Sequence, residues 1–258
     1  GVNVILAKKL SIVNKKKVPV IENPEKLVDK SDLLISIGGD GTMLSCSRSF
    51  GYVGIPILGI NLGNLGFLND IAPEDISTNL IQVINGNYSK ETRIFLSASL
   101  NDSKYPYFIA LNEFVIHSGA IAKLIEYELY IDEVFVYRQR ADGLIVNSPT
   151  GSTAYSLSGG GPIIHPSVQS IALLPMFPHS LSSNPLIISD KSTINICITG
   201  NKDKAKLSMD GHDSVKLKKG DVIEITKSDR QLTLIHPEDH DFYSACRNKL
   251  GWSTGITN

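Results

Sequence analysis

The sequence predicts an α/β N-terminal domain with a parallel sheet over residues 1–94, followed by an all-β, sandwich-like domain over residues 95–236. The tail at 237–258 is a candidate to pack back on the first domain, with no docking site derivable from sequence. Three observations predict this division. At about 150 residues per domain, a chain of 258 residues is one large or two ordinary domains. The first ninety or so positions alternate short β-branched apolar runs with helical periodicity, the pattern of parallel strands joined by crossover helices. From about residue 94 the pattern changes to short strands separated by Gly, Asn and Asp turns.

Element by element, residues 2–6 (Val-Asn-Val-Ile-Leu) are a predicted strand and residues 33–37 (Leu-Leu-Ile-Ser-Ile) a buried one. Residues 42–50 follow a glycine turn and are predicted helical, and residues 56–60 form a third strand. Residues 73–85 are a predicted helix with Pro73 at its start, Glu74 and Asp75 in its first turn and Gly86 at its end. In the second domain, strands are expected at 95–100, 108–117 and 124–140, the last split into a hairpin near Asp132-Glu133. Further strands are expected at 193–199, 205–209, 222–226 and 231–235, and a helix at 239–250.

Composition narrows the function classes. Hydrophobic residues at 42% and charged residues at 20% describe an ordinary globular protein. Lys and Arg number 25 against 26 Asp and Glu, a net charge of −1 that argues against a dedicated nucleic-acid binder. The three cysteines, Cys46, Cys197 and Cys246, are odd in number and form no CxxC pair, so a reducing, cytoplasmic location without disulfides is expected. The apolar runs are far shorter than the roughly 18–20 residues of a membrane helix, so no membrane association is expected.

The sharpest motif is Gly38-Gly39-Asp40-Gly41-Thr42, placed directly after a buried strand and opening a helix. Missing Cβ atoms let the backbone approach a ligand, and the helix start turns its dipole toward an anion. Asp40 is the odd member, because a carboxylate repels phosphate unless it activates a hydroxyl or holds a metal; a plain helix cap is the alternative. The loop is neither a Walker A motif, since no Gly-Lys pair exists in the chain, nor a GxGxxG fingerprint, since Leu44 stands at the third glycine position. A second cluster, Gly59, Gly63 and Gly66, again ends a predicted strand, where ligands sit in open α/β sheets. A third runs from Arg140 through Asp142-Gly143, Thr150-Gly-Ser-Thr-Ala-Tyr155 and Ser156-Leu-Ser158 to Gly159-Gly-Gly-Pro162, rich in hydroxyls suited to binding ribose, amide and phosphate. Asn112-Glu113 interrupts an apolar strand, which costs free energy unless both residues are hydrogen-bonded to protein or ligand. His236 and His240 are four apart, but Pro237 interrupts any helix between them, so a metal site there is not expected.

Taken as a set, these motifs, together with Leu173-Leu-Pro-Met-Phe-Pro-His179 and Asp210-Gly211-His212, resemble the NAD kinase family in its bacterial form over nearly the whole chain. The resemblance implies transfer of the γ-phosphoryl group of ATP to the 2′-hydroxyl of the adenosine ribose of NAD, giving NADP, with Mg²⁺ or another divalent cation. It implies Asp40 as the catalytic proton acceptor and Gly38, Gly39, Gly41 and Thr42 as the phosphate loop. Asp40, Gly41, Asn112, Glu113, Lys123, Arg140 and Asp142 would contact NAD, together with Thr153, Ala154, Tyr155, Ser156, Leu157 and Ser158, and with His212. No residue is assigned as a metal ligand. A homodimer or homotetramer is likewise implied. Two other functions remain open at this level: a lipid or sphingoid kinase of the diacylglycerol-kinase type, which uses a similar turn, and a non-catalytic dinucleotide sensor.

Overall fold

The computed structural model describes residues 1–7, 20–21, 23, 25–63, 66–69, 71–101, 108–119, 124–180, 183–200, 205–212 and 214–252. The chain divides into two compact units, residues 1–92 with 230–258, and residues 93–229.

The first unit is built on parallel strand pairs. In place of the strand expected at 2–6, a short β1 (Leu6–Ala7) pairs with β2 (Val20–Ile21). After α1 (Glu25–Val28) comes β3 (Leu34–Ile37), then α2 (Asp40–Cys46), which begins two residues before the predicted helix and runs into a π-helical stretch at Ser47–Gly51. β4 (Ile57–Ile60) lies parallel to β3, with Ile35 opposite Leu58 and Ile37 opposite Ile60. A 3₁₀ turn at Pro73–Asp75 leads into α3 (Ile76–Ile84), where proline and two acidic residues suit a helix start. The helix covers the sheet with Ile76, Leu80 and Val83, which pack with Leu58, Ile60, Ile71 and Ile235.

In the second unit, β5 (Ser89–Leu100) starts in the first unit and continues into β6 (Phe108–Ala110), β7 (Glu113–His117) and the hairpin of β8 (Ile125–Ile131) with β9 (Val134–Ala141). Asp132 and Glu133 take φ of 50° and 67°, the left-handed pair a tight two-residue hairpin turn requires. There follow β10 (Gly143–Asn147), α4 (Tyr155–Ser158), β11 (Ser170–Met176), β12 (Leu186–Ser189), β13 (Ile194–Ile198), β14 (Lys206–Met209), β15 (Ser214–Lys216) and β16 (Val222–His236). One antiparallel sheet has the order β12-β11-β10-β7-β14-β15. A second antiparallel run joins β9, β8, β13 and the first half of β16, with Ile194 opposite Ile225. Phe114, Ile116, Leu144 and Val146 of the first sheet pack with Tyr127, Leu129, Ile196 and Ile223 of the second, a sandwich core as expected.

Two expectations are corrected. The strands expected at 222–226 and 231–235 are one 15-residue strand, β16. Its end leaves the antiparallel pairing and runs parallel to β4, Leu234 opposite Ile57, so residues 230–236 fall in the first unit and not in the second. β11 and β12 were not expected from sequence; Pro175 argues against a central strand, yet it sits in register opposite Leu144. The chain ends in α5 (Phe242–Leu250), capped by Asp241, whose carboxylate accepts bonds from the Tyr243 and Ser244 amides. Among the described residues, no helix is long and apolar enough to cross a membrane.

Leu129 is fully buried at the centre of the sandwich core. Leu129→Ala is expected to cost about 2–5 kcal/mol, read as a lower urea midpoint of the unfolding transition.

Candidate active site

In the first unit, the two glycine clusters meet around Asp40. Gly38 has φ of 154°, and a Cβ there would stand 2.5 Å from Thr42 Oγ1, so the turn after β3 demands glycine for its own geometry. Gly39 and Gly41 differ. Gly39 takes an ordinary extended φ of −89°, and a Cβ on either residue would find no atom within 4 Å. Nothing described in the chain requires glycine at these two positions, and open space adjoins them.

The Asp40 carboxylate is held by the loop after β4. Oδ2 accepts the Phe67 amide at 3.1 Å, while Oδ1 accepts the Leu68 amide at 3.4 Å and the Asn69 side-chain amide at 3.2 Å. A Cβ at Gly66 would collide with the carboxylate, so the third glycine of the second cluster is spaced for this contact. Lys249 of α5 brings its ammonium to 3.8 Å from Oδ2 and over the Phe67 ring at 5.3 Å. Asp40 is thus more than a helix cap; no side-chain cap bond is made at the start of α2.

In the second unit, Asn112 and Glu113 sit where β6 breaks and β7 begins. Asp210, after β14, accepts the backbone amides of Leu111, Asn112 and Glu113 at 3.0, 2.8 and 3.2 Å. Its own amide returns a bond to the Glu113 carbonyl at 3.0 Å. Ser148 donates its backbone amide to the Asn112 carbonyl, and a Cβ at Gly151 would strike that same carbonyl. Glu113 pairs directly with Asn147 of β10, and Val115 with Ile145, so the period of two puts all four on one face. Gly159, following α4, approaches Leu174 and Ile145 on that face, which places the 153–158 segment above it.

These segments hold unfilled polar atoms. Asn112 Oδ1, Glu113 Oε2, Asn147 Oδ1 and Ser156 Oγ are buried with no hydrogen-bond partner among the described residues. Burial, and then the nearby Asp210 charge, push the Glu113 carboxyl up to about 8, so it carries its proton at neutral pH.

Among the remaining predicted site residues, Tyr155 and Ser158 are exposed while Ser152 and Ser156 are buried, so the hydroxyl-rich stretch is not a surface loop. His212 Nδ1 lies 2.7 Å from the Asp210 carbonyl, beside the Asn112–Glu113 support. Arg140 and Asp142 are not brought to Glu113: they precede Gly143, which pairs with His117 at the opposite end of β10 from Asn147. At about 3.4 Å per residue, five positions along a strand separate Asp142 from Asn147 by roughly 17 Å. Arg140 is exposed and lines a separate pocket of about 600 Å³ with Arg138, Gln139 and His179. Gly143 itself is required by packing, since a Cβ there would meet the Ile116 carbonyl. Lys123 lies outside the described residues.

Models of two protein-family domains match this chain. The model of the ATP-NAD kinase N-terminal domain matches residues 8–88, and that of the ATP-NAD kinase C-terminal domain matches residues 111–237. The chain belongs to the ATP-NAD kinase family. Relatives named NAD kinase include one from Teredinibacter turnerae, 48% identical over 93% of this chain and 83% of its own length. Another, from Marinobacter nauticus, is 47% identical over 87% of this chain and 78% of its own. Yeast NADH kinase, solved in complex with NADH, superposes with a TM-score of 0.87 at 31% identity, covering 99% of this chain and 80% of that one. The NAD kinase of Archaeoglobus fulgidus, solved with ATP, gives a TM-score of 0.71 at 30% identity, covering 90% and 86%.

Within this member of the family, four residues were not singled out by sequence reasoning: Asn69, Lys249, Asn147 and Asp210. Asn147 left a faint signal, a polar residue closing the apolar run 144–146. Asp210 was noticed only as part of a motif, and its three backbone bonds reach across about a hundred positions, with separations of 97 to 99.

A carboxyl raised by burial favours the folded state while protonated. Its contribution is complete below the usual carboxylate range and is lost as pH rises through about 8. Glu113→Gln is therefore expected to flatten the loss of stability between about pH 5 and pH 8, by an amount on the order of 1–3 kcal/mol. Chemical denaturation of parent and variant at both pH values checks this.

Proposed function

We propose that this kinase moves the γ-phosphoryl group of ATP onto the 2′-hydroxyl of the adenosine ribose of NAD, with Asp40 as the acceptor of the hydroxyl proton. One new O–P bond forms at the ribose, the bond between the γ-phosphorus and the bridging oxygen breaks, and ADP leaves with NADP as the other product. The observation that carries the reading is the contrast within the glycine loop: Gly38 is explained by the chain's own geometry, whereas Gly39 and Gly41 face open space beside a fixed carboxylate. A ligand that presses against backbone accounts for glycine at both positions.

Each group has a task. The amides of Phe67 and Leu68 and the Asn69 side chain hold Asp40 in one orientation, so the hydroxyl meets a prepared acceptor. A carboxylate offers about four lone-pair directions, and the donors of Phe67, Leu68 and Asn69 leave one for the sugar hydroxyl. Asn112, Glu113 and Asn147 offer buried acceptors suited to ribose hydroxyls and the adenine amino group. Glu113, neutral at working pH, also has a proton to donate and avoids charge repulsion with a pyrophosphate. Residues 153–158, on the same face, complete the dinucleotide-binding segment.

The donor is read as ATP-Mg²⁺. Among the described residues, no set of three imidazole, thiol or carboxylate ligands gathers at Asp40. The ion would arrive with ATP, whose phosphate oxygens and water suit the oxygen preference of Mg²⁺. Bound there it would neutralise charge on the transferred group, while the protein's task is alignment. We further propose a homo-oligomer, in which a second copy presents Arg140 and Asp142 to the dinucleotide. The edge strand β9 exposes Val134 and Phe135 at 66% and 53%, apolar surface that a second copy would cover. Free thiols at Cys46, Cys197 and Cys246 suit the reducing cytoplasm. The apolar chains of a lipid alcohol find no counterpart in the unfilled polar atoms around Glu113, which disfavours the lipid-kinase reading.

A coupled assay for NADP from NAD and ATP-Mg²⁺ tests the reaction itself; binding without turnover would instead mark a sensor. Asp40→Asn is expected to keep NAD binding while kcat falls by about 10²–10⁴-fold. Retention of near-parental kcat would remove Asp40 from the proton transfer. Asp210→Ala is expected to weaken NAD binding by about tenfold or more, measured by calorimetry, because three amides that shape Asn112 and Glu113 lose their acceptor.

A further inference from the structure

Away from the glycine loops, the first unit holds a second cluster of ligating side chains. His236 is the last residue of β16 and is almost wholly buried. Its Nε2 lies 3.1 Å from Oε2 of Glu91 on β5. Four residues on, His240 lays its ring on that of His236, with centroids 3.9 Å apart and planes 13° from parallel. One ligand atom from each of the three lies within 4.8 Å of the others.

Pro237 weighs against a metal site only if the two histidines must share a helix. They do not. The strand ends at His236, the turn closes with the His240 amide donating to the Pro237 carbonyl at 3.1 Å, and α5 starts only at Phe242. Ser89 Oγ donates to the same Pro237 carbonyl at 3.5 Å, so β5 braces the turn that carries the second imidazole. A Glu91–His236 hydrogen bond would by itself be an ordinary structural pair. What it leaves unexplained is the second imidazole stacked on the first with its own ligand atom in reach of the carboxylate.

We propose that Glu91, His236 and His240 bind one zinc ion. Two imidazoles and one carboxylate are a known zinc donor set, whereas Mg²⁺ and Ca²⁺ favour all-oxygen sites. With metal–ligand distances of about 2.0–2.1 Å, the edge of a tetrahedral site is roughly 3.3–3.4 Å, close to the contact already present between Glu91 and His236. Near-parallel stacked rings do not aim at one point, so a ring must turn to close the set, and His240 is the half-buried one of the two. Three protein ligands leave a fourth position for water. The ion would join the start of β5, the end of β16 and the turn that launches α5.

The site is distinct from the proposed reaction centre. Asp40 is not among its ligands, and seven helical steps, about 10 Å of rise, separate Phe242 at the start of α5 from Lys249. Its effect is therefore anchorage of the helix whose Lys249 stands beside Asp40. Nothing in this proposal depends on which substrate the kinase phosphorylates.

The test uses the full chain, free of any affinity tag and stripped with EDTA. Titration with zinc chloride in a calorimeter is expected to show saturable binding of one ion per chain, with no comparable heat from magnesium chloride. Glu91→Gln and His240→Ala, each confirmed as folded by circular dichroism, are expected to weaken zinc binding at least about tenfold. Cobalt substitution is expected to give the visible bands of a tetrahedral ion in the parent and not in either variant. Zinc at about a hundredfold excess over its dissociation constant is expected to raise the parent's melting temperature by roughly 5–10 °C. Absence of saturable binding in the parent, or equal affinity in parent and both variants, overturns the proposal. Should one variant fail to fold, the other and the parent's cobalt spectrum decide.

Discussion

The Asp40 carboxylate joins two loops that the chain separates by 27 to 29 positions, accepting donors from Phe67, Leu68 and Asn69. The bond set works in both directions. It fixes the side chain for use, and it folds the loop after β4 against the loop after β3, so that neither can move without losing its partner. Gly66 is there because a side chain would occupy the volume of the carboxylate. Gly59 is there for a related reason, since a Cβ would collide with Asn69 and crowd Met43 at 2.6 Å. The second glycine cluster thus serves the first, and the parallel pairing of β3 with β4 brings their carboxyl ends side by side so that it can.

The second unit repeats the device with another carboxylate. Asp210 gathers three consecutive amides at the break between β6 and β7, where a strand would otherwise leave them unpaired. The backbone is held by Asp210, and the side chains of Asn112 and Glu113 are thereby left without a structural task. Their oxygens, with that of Asn147, are buried and unsatisfied among the described residues, a costly state unless a ligand completes it. Nearness of Asp210 is also one reason Glu113 keeps its proton. A single aspartate therefore shapes this face and adds to the burial that keeps Glu113 protonated.

Much of this was legible in sequence, and for identifiable reasons. Strands β3 and β4, helix α3 and the β8–β9 hairpin announce themselves through contiguous apolar runs, a proline start and an Asp-Glu turn, all local signals. The misjudged elements are those whose state depends on neighbours. Residues 170–176 contain a proline and no alternation, and they are a strand because β10 and β12 pair with them on either side. Residues 222–236 contain a polar break at Lys227-Ser-Asp-Arg230, and they remain one strand because different partners hold its two ends. Pro237 spoke correctly against a helix, while the approach of His240 to His236 needed only a turn.

The sequence by itself determined the order of an α/β part and an all-β part, the glycine loops and the family, since each is carried by residues adjacent in the chain and by their order. Tertiary structure decided which of those residues are left with work to do. That Gly39 faces space while Gly66 faces a carboxylate, that Asn147 lies opposite Glu113, and that Glu91 meets His236 across 145 positions are facts of packing. Hydrogen bonds and buried charge act over a few ångströms in space, and distance along the chain carries no record of them.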